Sequence, residues 1–534
     1  MRASIDPLSS PAESPMYVRK WWVSLPLFLG TLSVALTATS VDIAIPTIMS
    51  SLGASLNKIQ WVLTGFMITR TVLIPSVGWL GDRLGDRDLF ILSTAVFTLG
   101  SFLCSISWNA DSLILFRIIQ AVGAGPLIGV AMAIMYEAFP PYERGLAMGL
   151  FMTGWSLGPF FGPLLGGYLT EHVHWRAIFY INIPVGLLSI VAAFFLLPRQ
   201  TTAERKTPFD LFGFVMMIGA VATLLLALSQ GHEKGWGSRL IMALFSGSLV
   251  FFFLFVIAEL KVKNPFVELR YFGSLTFSLS NLVIFFRVFG FRGTNFLISL
   301  FLQRGLNYSP IQAATFLLPG AIITGIVSPL AGILSDRLNP RLPMVLGFAI
   351  LILILYGLST VTLWSSMAFI FFLLSVKSVG QSCLNAPLNM VALNALPEGR
   401  ARMGSGIIGM ARGLGEAFGI AILSFLLERY TFVNLISMSP VQGAHLSEGQ
   451  RFEAISQLKG LLLQAGSYGS ALEDRAHSLL GYTLLNEALT RSYQELFLLI
   501  GAIYVFLTIL AFFLRSDNEE RNSWLVRRER QYEA

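Results

Sequence analysis

Eight ionisable residues sit inside long apolar runs of this 534-residue chain: the carboxylates Asp42 and Glu416, and the cations Arg70, Arg117, Arg287, Arg292, Lys377 and Arg412. At the middle of a bilayer such a residue costs about 2.5–3.5 kcal/mol on insertion scales, so it normally faces a cavity or a partner and is functional by default. A carboxyl withdrawn from water holds its proton more tightly, and a neighbouring guanidinium loosens it again. Asp42 and Glu416 are therefore the expected proton carriers. A plainer reading of Glu416 is a structural ion pair with Arg412, four residues earlier on the same helix face. Cations outnumber acids in these runs, so Arg70, Arg287, Arg292 and Lys377 are expected to line a cavity for anionic or amphiphilic molecules such as a fatty acid or a weakly acidic toxin, except where they pair or snorkel to an interface.

A second signal is a ten-residue phrase that occurs twice, Pro75-Ser-Val-Gly78-Trp-Leu80-Gly-Asp82-Arg83-Leu84 and Pro329-Leu-Ala-Gly332-Ile-Leu334-Ser-Asp336-Arg337-Leu338, with six of ten positions identical at an offset of 254 residues. Each copy falls where one apolar run ends and the next begins. Internal repeats of this kind point toward transporters. A third signal is Gly154, Gly158, Gly162 and Gly166 at four-residue spacing, with Pro159 and Pro163 among them and Gly167 after. That spacing lines one helix face with glycine and lets another backbone approach closely, while the prolines soften the helix. Such a face suits a helix that slides against its partner; simple packing is the alternative.

The elements that must position these residues are membrane helices. With 54% hydrophobic and 13% charged residues and a mean hydropathy of +0.69, the chain lacks the polar surface of a soluble globule. Fourteen runs are long enough to cross the hydrocarbon. The pI near 9.4 does not point to nucleic acid, because the basic residues are spread over short loops. They are distributed asymmetrically: 21 of the 37 Lys and Arg fall on one side, and 10 on the other, of which 5 lie in one long loop. By the positive-inside rule both termini are cytoplasmic. The phrase lies between spans 2 and 3 and again between spans 10 and 11, which divides the fourteen spans into six, two and six. The expected organisation is a tail over 1–21, a six-helix bundle over 22–198, two inserted helices with flanking loops over 199–274, a second six-helix bundle over 275–514 and a tail over 515–534. The second bundle contains a long extracytoplasmic loop, 429–493, expected to form a helical hairpin with one amphipathic pattern at 447–465 and a helix opening at Ser470.

These residues carry a family resemblance. Gly78-Trp-Leu-Gly-Asp82-Arg83-Leu-Gly85-Asp-Arg87 resembles the loop 2–3 signature of the major facilitator superfamily, and Gly158-Pro-Phe-Phe-Gly162-Pro163-Leu-Leu-Gly166-Gly167 resembles its antiporter signature in span 5. Asp42-Ile-Ala-Ile-Pro46, Arg117-Ile-Ile-Gln120 and Trp175-Arg-Ala-Ile-Phe179-Tyr-Ile-Asn182-Ile-Pro184-Val-Gly186 add to the likeness, which is to the fourteen-span drug:proton antiporters of the EmrB and QacA type and runs from about Trp22 to Leu514. The resemblance implies an all-α major facilitator fold, proton-coupled efflux of drugs or other amphiphiles, and residence in the inner membrane. It implies that Asp82 and Arg83, and more weakly Asp336 and Arg337, gate the change of state. It assigns Arg117 and Arg412 to proton coupling. It also implies a periplasmic adaptor and an outer-membrane channel as partners. Two departures stand out: the family's span 1 acid is replaced by Thr37 while Asp42 stands where Asn is usual, and Asp86 stands where a basic residue is usual.

No GxxxxGK phosphate loop is present, so ATP is not the expected energy source, and Gly404-Ser-Gly406-Ile-Ile-Gly409 opens a span rather than following a strand, so it reads as helix packing and not as a dinucleotide site. No cofactor and no metal is expected; His172-x-His174 reads as two solvated loop residues. All five histidines fall in loops, which counts against a membrane-embedded lipid enzyme. Uptake and signal sensing by the same fold are the rival functions.

Overall fold

The computed structural model describes residues 20–199, 210–262, 265–306, 318–397, 399–438 and 471–514, together with residues 308, 312, 315, 316 and 456. A polypeptide in hydrocarbon must satisfy its own backbone, and this one does so with helices: among the described residues there is no strand. Among the described residues, thirteen helical stretches are long and apolar enough to cross a membrane. The remaining expected span, Arg144–His172, is a 29-residue helix in which glycine and proline replace part of the apolar side chains.

In chain order the helices are α1 Lys20–Leu52, α2 Leu56–Leu73, α3 Val77–Leu84, α4 Asp86–Ser105, α5 Ala110–Ala138, α6 Arg144–His172, the short α7 Ala177–Tyr180, α8 Asn182–Leu196, α9 Leu211–Lys234, α10 Arg239–Lys261, α11 Leu275–Leu300, α12 Leu318–Arg337, α13 Arg341–Ser359, α14 Met367–Asn394, α15 Ala401–Met438 and α16 Ala471–Phe513. A 3₁₀ turn, Ile74–Ser76, joins α2 to α3, and Gly85, at φ +82°, makes the left-handed break between α3 and α4 that disfavours a side chain. Helix starts are capped locally. Asn109 and Ser112 form a reciprocal capping box at α5, and Ser238, Ser274 and Ser366 cap α10, α11 and α14.

Helices α1 to α8 pack chiefly among themselves, as do α11 to α16, and α9 pairs with α10. The two groups meet along α6, which lies against α12 and α14, and along α15, which lies against α5 and the end of α2. The glycine face of α6 is spent on α1: Gly154 lies against Phe28 and Thr31, Gly158 against Ala35, Gly162 against Thr39 and Gly166 against Ser40. Thr39 Oγ1 donates across that contact to Gly158 O at 2.8 Å. Gly145 and Gly149 of the same helix instead meet Gly332 and Pro329 of α12. Thus α6 presents one small-residue face to its own group and another to the opposite one.

The long loop expected over 429–493 is shortened from both ends. Helix α15 runs on to Met438, and α16 begins at Ala471, directly after Ser470 and 23 residues before the expected start of the last span. Charged residues such as Glu428, Arg429 and Arg491 end the apolar run without ending the helix, since Glu and Arg are good helix formers. At 38 and 43 residues these helices are about 57 and 65 Å long, against about 30 Å of hydrocarbon, so both run past it. Asn434 Nδ2 joins them, donating to Ser492 Oγ at 3.0 Å and Glu495 Oε2 at 3.3 Å. The amphipathic pattern at 447–465 lies outside the described residues except for residue 456.

Candidate functional site

Glu416, on α15, is buried with two guanidiniums on it. Arg292 of α11 donates through Nη2 to Oε1 at 3.2 Å, and Arg70 of α2 donates through Nη2 to Oε2 at 3.2 Å. One carboxylate therefore ties the second helix of one group to two helices of the other. The pairing with Arg412 expected from four-residue spacing does not form: Arg412 Nη2 donates to Asn389 Oδ1 at 2.9 Å instead. Arg70 also lies 5.5 Å from the Trp155 ring and 5.9 Å from the Phe66 ring, so its charge is spread over one carboxylate and two aromatic faces.

This cluster borders a cavity of about 370 Å³ whose wall includes Asp42, Arg70, Arg117, Arg292 and Glu416. Asp42 opens onto it from α1. Thr37, five residues earlier, is buried and donates to Ser33 O at 2.8 Å, so it lies on the packed side of α1 while Asp42 lies on the cavity side. Arg117, buried in α5, donates to Val62 O at 3.2 Å and to Gln120 Oε1 at 2.7 Å, and its guanidinium lies 4.0 Å from the Phe66 ring centroid. Most of the remaining wall is apolar, including Leu63, Met67, Leu225, Leu228 and Ile420; the inserted helix α9 supplies Leu225, Leu228 and Ser229.

A second, smaller cavity of about 50 Å³ lies on the other side of Glu416 and Arg292, which line both. Its wall is built by α6 (Met152, Trp155, Ser156), α11 (Arg287, Phe291), α12 (Thr324), α14 (Ser378, Gln381, Asn385) and α15 (Arg412). Arg287 Nη1 donates to Asn385 Oδ1 at 2.9 Å. Lys377 is set apart: it bonds to Asn295 Oδ1, and its ammonium lies 5.6 Å from the Phe291 ring centroid. The neutral partners Asn385 and Asn389 were missed in the sequence. They stand in a stripe, Lys377, Gln381, Asn385 and Asn389, whose four-residue period through the middle of α14 marks one polar helix face in an otherwise apolar run.

At the end of the molecule that carries the duplicated phrases, each copy grips the start of a helix in the opposite group. Asp82 Oδ1 accepts from Arg402 Nη1 at 2.8 Å, and the Arg402 Nε lies 2.9 Å from Asp86 Oδ1. Asp86, the unusual residue of the first copy, thus takes part in the same clamp. Gly78 packs against Met403 and Gly81 against Arg402. In the second copy Asp336 accepts from the backbone N–H of Gly145 at 2.7 Å and of Leu146 at 2.9 Å. Arg83 is exposed and stacks on Trp79, Arg337 is exposed, and Arg87 donates to Phe194 O at 2.7 Å. The clamp partner Arg402 was also missed, since nothing in its local sequence marks it.

The all-helical fold of two packed groups agrees with the comparisons to known proteins. Residues 27–420 match the Major Facilitator Superfamily profile. Multidrug export protein EmrB of Haemophilus influenzae is 32% identical over 76% of this chain and 80% of its own. Fatty acid resistance protein FarB of Neisseria gonorrhoeae is 30% identical over 76% of this chain and 81% of its own. The crystal structure of the human organic anion transporter MFSD10 superposes with a TM-score of 0.57 over 92% of this chain and 99% of that one at 16% identity, a likeness of fold. The chain is a multi-pass membrane protein and belongs to the Major Facilitator Superfamily.

Proposed function

We propose that this protein exports drugs or other amphiphilic small molecules across the cytoplasmic, inner membrane in exchange for protons, by alternating access between its two helix groups. The observation that carries the reading is the shared cavity at the meeting of the groups, with Asp42 on its wall and Glu416 holding Arg70 and Arg292 from either side. Protonation of Glu416 removes the charge that joins the groups, and Asp42 gives a second proton site reached from the same space. A proton moving inward through 100 mV supplies about 2.3 kcal/mol. Relatives named for multidrug export and for fatty acid resistance support this choice of cargo. The excess of Lys and Arg on the side that carries the clamps supports cytoplasmic termini. The extension of α15 and α16 beyond the hydrocarbon supports docking of a periplasmic adaptor that continues to an outer-membrane channel.

The test is proton movement in everted membrane vesicles with an acidic interior, challenged with fatty acids and with lipophilic cations. Amphiphiles are expected to dissipate the gradient through the wild-type protein, and Asp42→Asn and Glu416→Gln each to abolish most of that flux. A full response in both variants would remove the two carboxylates as carriers.

A further inference from the structure

We propose that the smaller cavity is the head-group site of the cargo, taking a carboxylate or similar monoanion on Arg287 and Arg412 while the apolar chain of the same molecule lies in the larger cavity. This rests on the export reading and adds the class of cargo and the place where its charge is held.

Charge is the first argument. The wall of the smaller cavity carries three guanidiniums, Arg287, Arg292 and Arg412, against one carboxylate, Glu416, which Arg292 already shares with Arg70. Arg287 and Arg412 are 3% and 6% exposed, and their side-chain partners are the neutral oxygens of Asn385 and Asn389. A buried cation with only neutral partners carries a desolvation cost that a bound anion offsets. A cationic head would meet like charge in the same place.

Hydrogen bonding is the second. Arg287 Nε, Arg412 Nε and Gln381 Oε1 are buried without a hydrogen-bond partner among the described residues. Two arginine N–H groups at this wall therefore lack an acceptor among the described residues, and guanidinium–carboxylate bonds are among the stronger ones in proteins.

Size is the third. About 50 Å³ suits a head group and not a chain, since a water takes about 30 Å³ in the liquid. The neighbouring space of about 370 Å³ has the apolar wall a chain needs. Arg292 and Glu416 line both and stand between them. A proton taken by Glu416 loosens its hold on Arg292 and opens the partition.

The experiment is binding of radiolabelled decanoate to the purified full-length protein in nanodiscs, measured above empty nanodiscs and competed with decanoate, acetate or decyltrimethylammonium. Decanoate is expected to displace the label at least about tenfold better than either competitor, and Arg287→Gln to weaken decanoate binding by about tenfold or more. Asn385→Asp places a carboxylate beside Arg287 and should give the same loss in a protein whose elution and melting match the wild type, which separates loss of the site from loss of the fold. Wild-type binding in a folded Asn385→Asp protein, or equal displacement by the cation, would overturn the head-group site; equal displacement by acetate would overturn the place of the chain. Intact binding with no proton flux from any amphiphile would sink the export reading and leave the anion site standing.

Discussion

The two copies of the duplicated phrase end in the same Asp-Arg-Leu, yet their aspartates hold different kinds of partner. Asp82 grips a side chain, the guanidinium of Arg402, whereas Asp336 grips backbone, the N–H groups of Gly145 and Leu146. The partner helices correspond: Gly149 of α6 lies on Pro329 as Gly406 of α15 lies on Pro75, and stepping back four residues brings Gly145 and Arg402 to the same place. Glycine there lets the helix start come close enough for its own amides to reach the carboxylate, with the helix dipole favouring the anion. Arginine keeps the helix farther away and offers its own charge across the gap. One repeated phrase thus makes a backbone clasp and an ionic clasp, and the residue on the opposite helix decides which.

The comparison can be broken in three ways. Gly145→Val should have the largest effect, because any side chain there meets the backbone of Gly332; an overpacking cost of about 1–3 kcal/mol would fall on the clamped arrangement, and vesicle transport is expected to fall at least about tenfold. Asp336→Asn keeps the size and one acceptor but surrenders the charge, a loss of about 1–1.5 kcal/mol, the difference between a charged and a neutral hydrogen bond; flux should fall severalfold, with no rescue by a second substitution on α6. Arg402→Ala should be mildest, about 1 kcal/mol or less, because Asp82 is partly exposed, and Arg402→Lys, which keeps a cation beside both Asp82 and Asp86, should retain most of the flux. If Arg402→Ala proves more damaging than Asp336→Asn, the ranking of the two clasps is wrong and Asp86, the buried second acid on Arg402, carries more of the first than the geometry suggests.

Much of this could be read from the sequence, and what could not has identifiable causes. Apolar runs and the repeat mark the spans and the all-helical fold because both are local signals. The bounds of the long loop were misplaced: α15 runs on to Met438, and the helix that begins at Ala471, as expected from Ser470, continues unbroken into the last span, because polarity changes there while helix propensity does not. The four-residue spacing of Arg412 and Glu416 invited a pairing that the fold does not make, because Arg70 and Arg292, 346 and 124 residues away in the chain, reach the carboxylate instead. Such partners depend on which helices adjoin, which no short window contains. Asn385 and Asn389 were legible in principle: a polar stripe through a membrane helix is as costly as an isolated charge and points to an interior face.

The inserted helix α9 has a consequence for how cargo leaves the bilayer. It stands beside both α2 and α15, with Thr64 and Ser229 hydroxyls 3.2 Å apart and Trp236, just past its end, edge-on to Phe425 at 5.6 Å. The molecule has two seams between its groups, α2 with α15 and α6 with α12, and α9 shutters only the first. On that flank the bilayer meets α9 before it meets the seam. The two approaches from lipid are therefore inequivalent, and a duplicated protein acquires a front and a back.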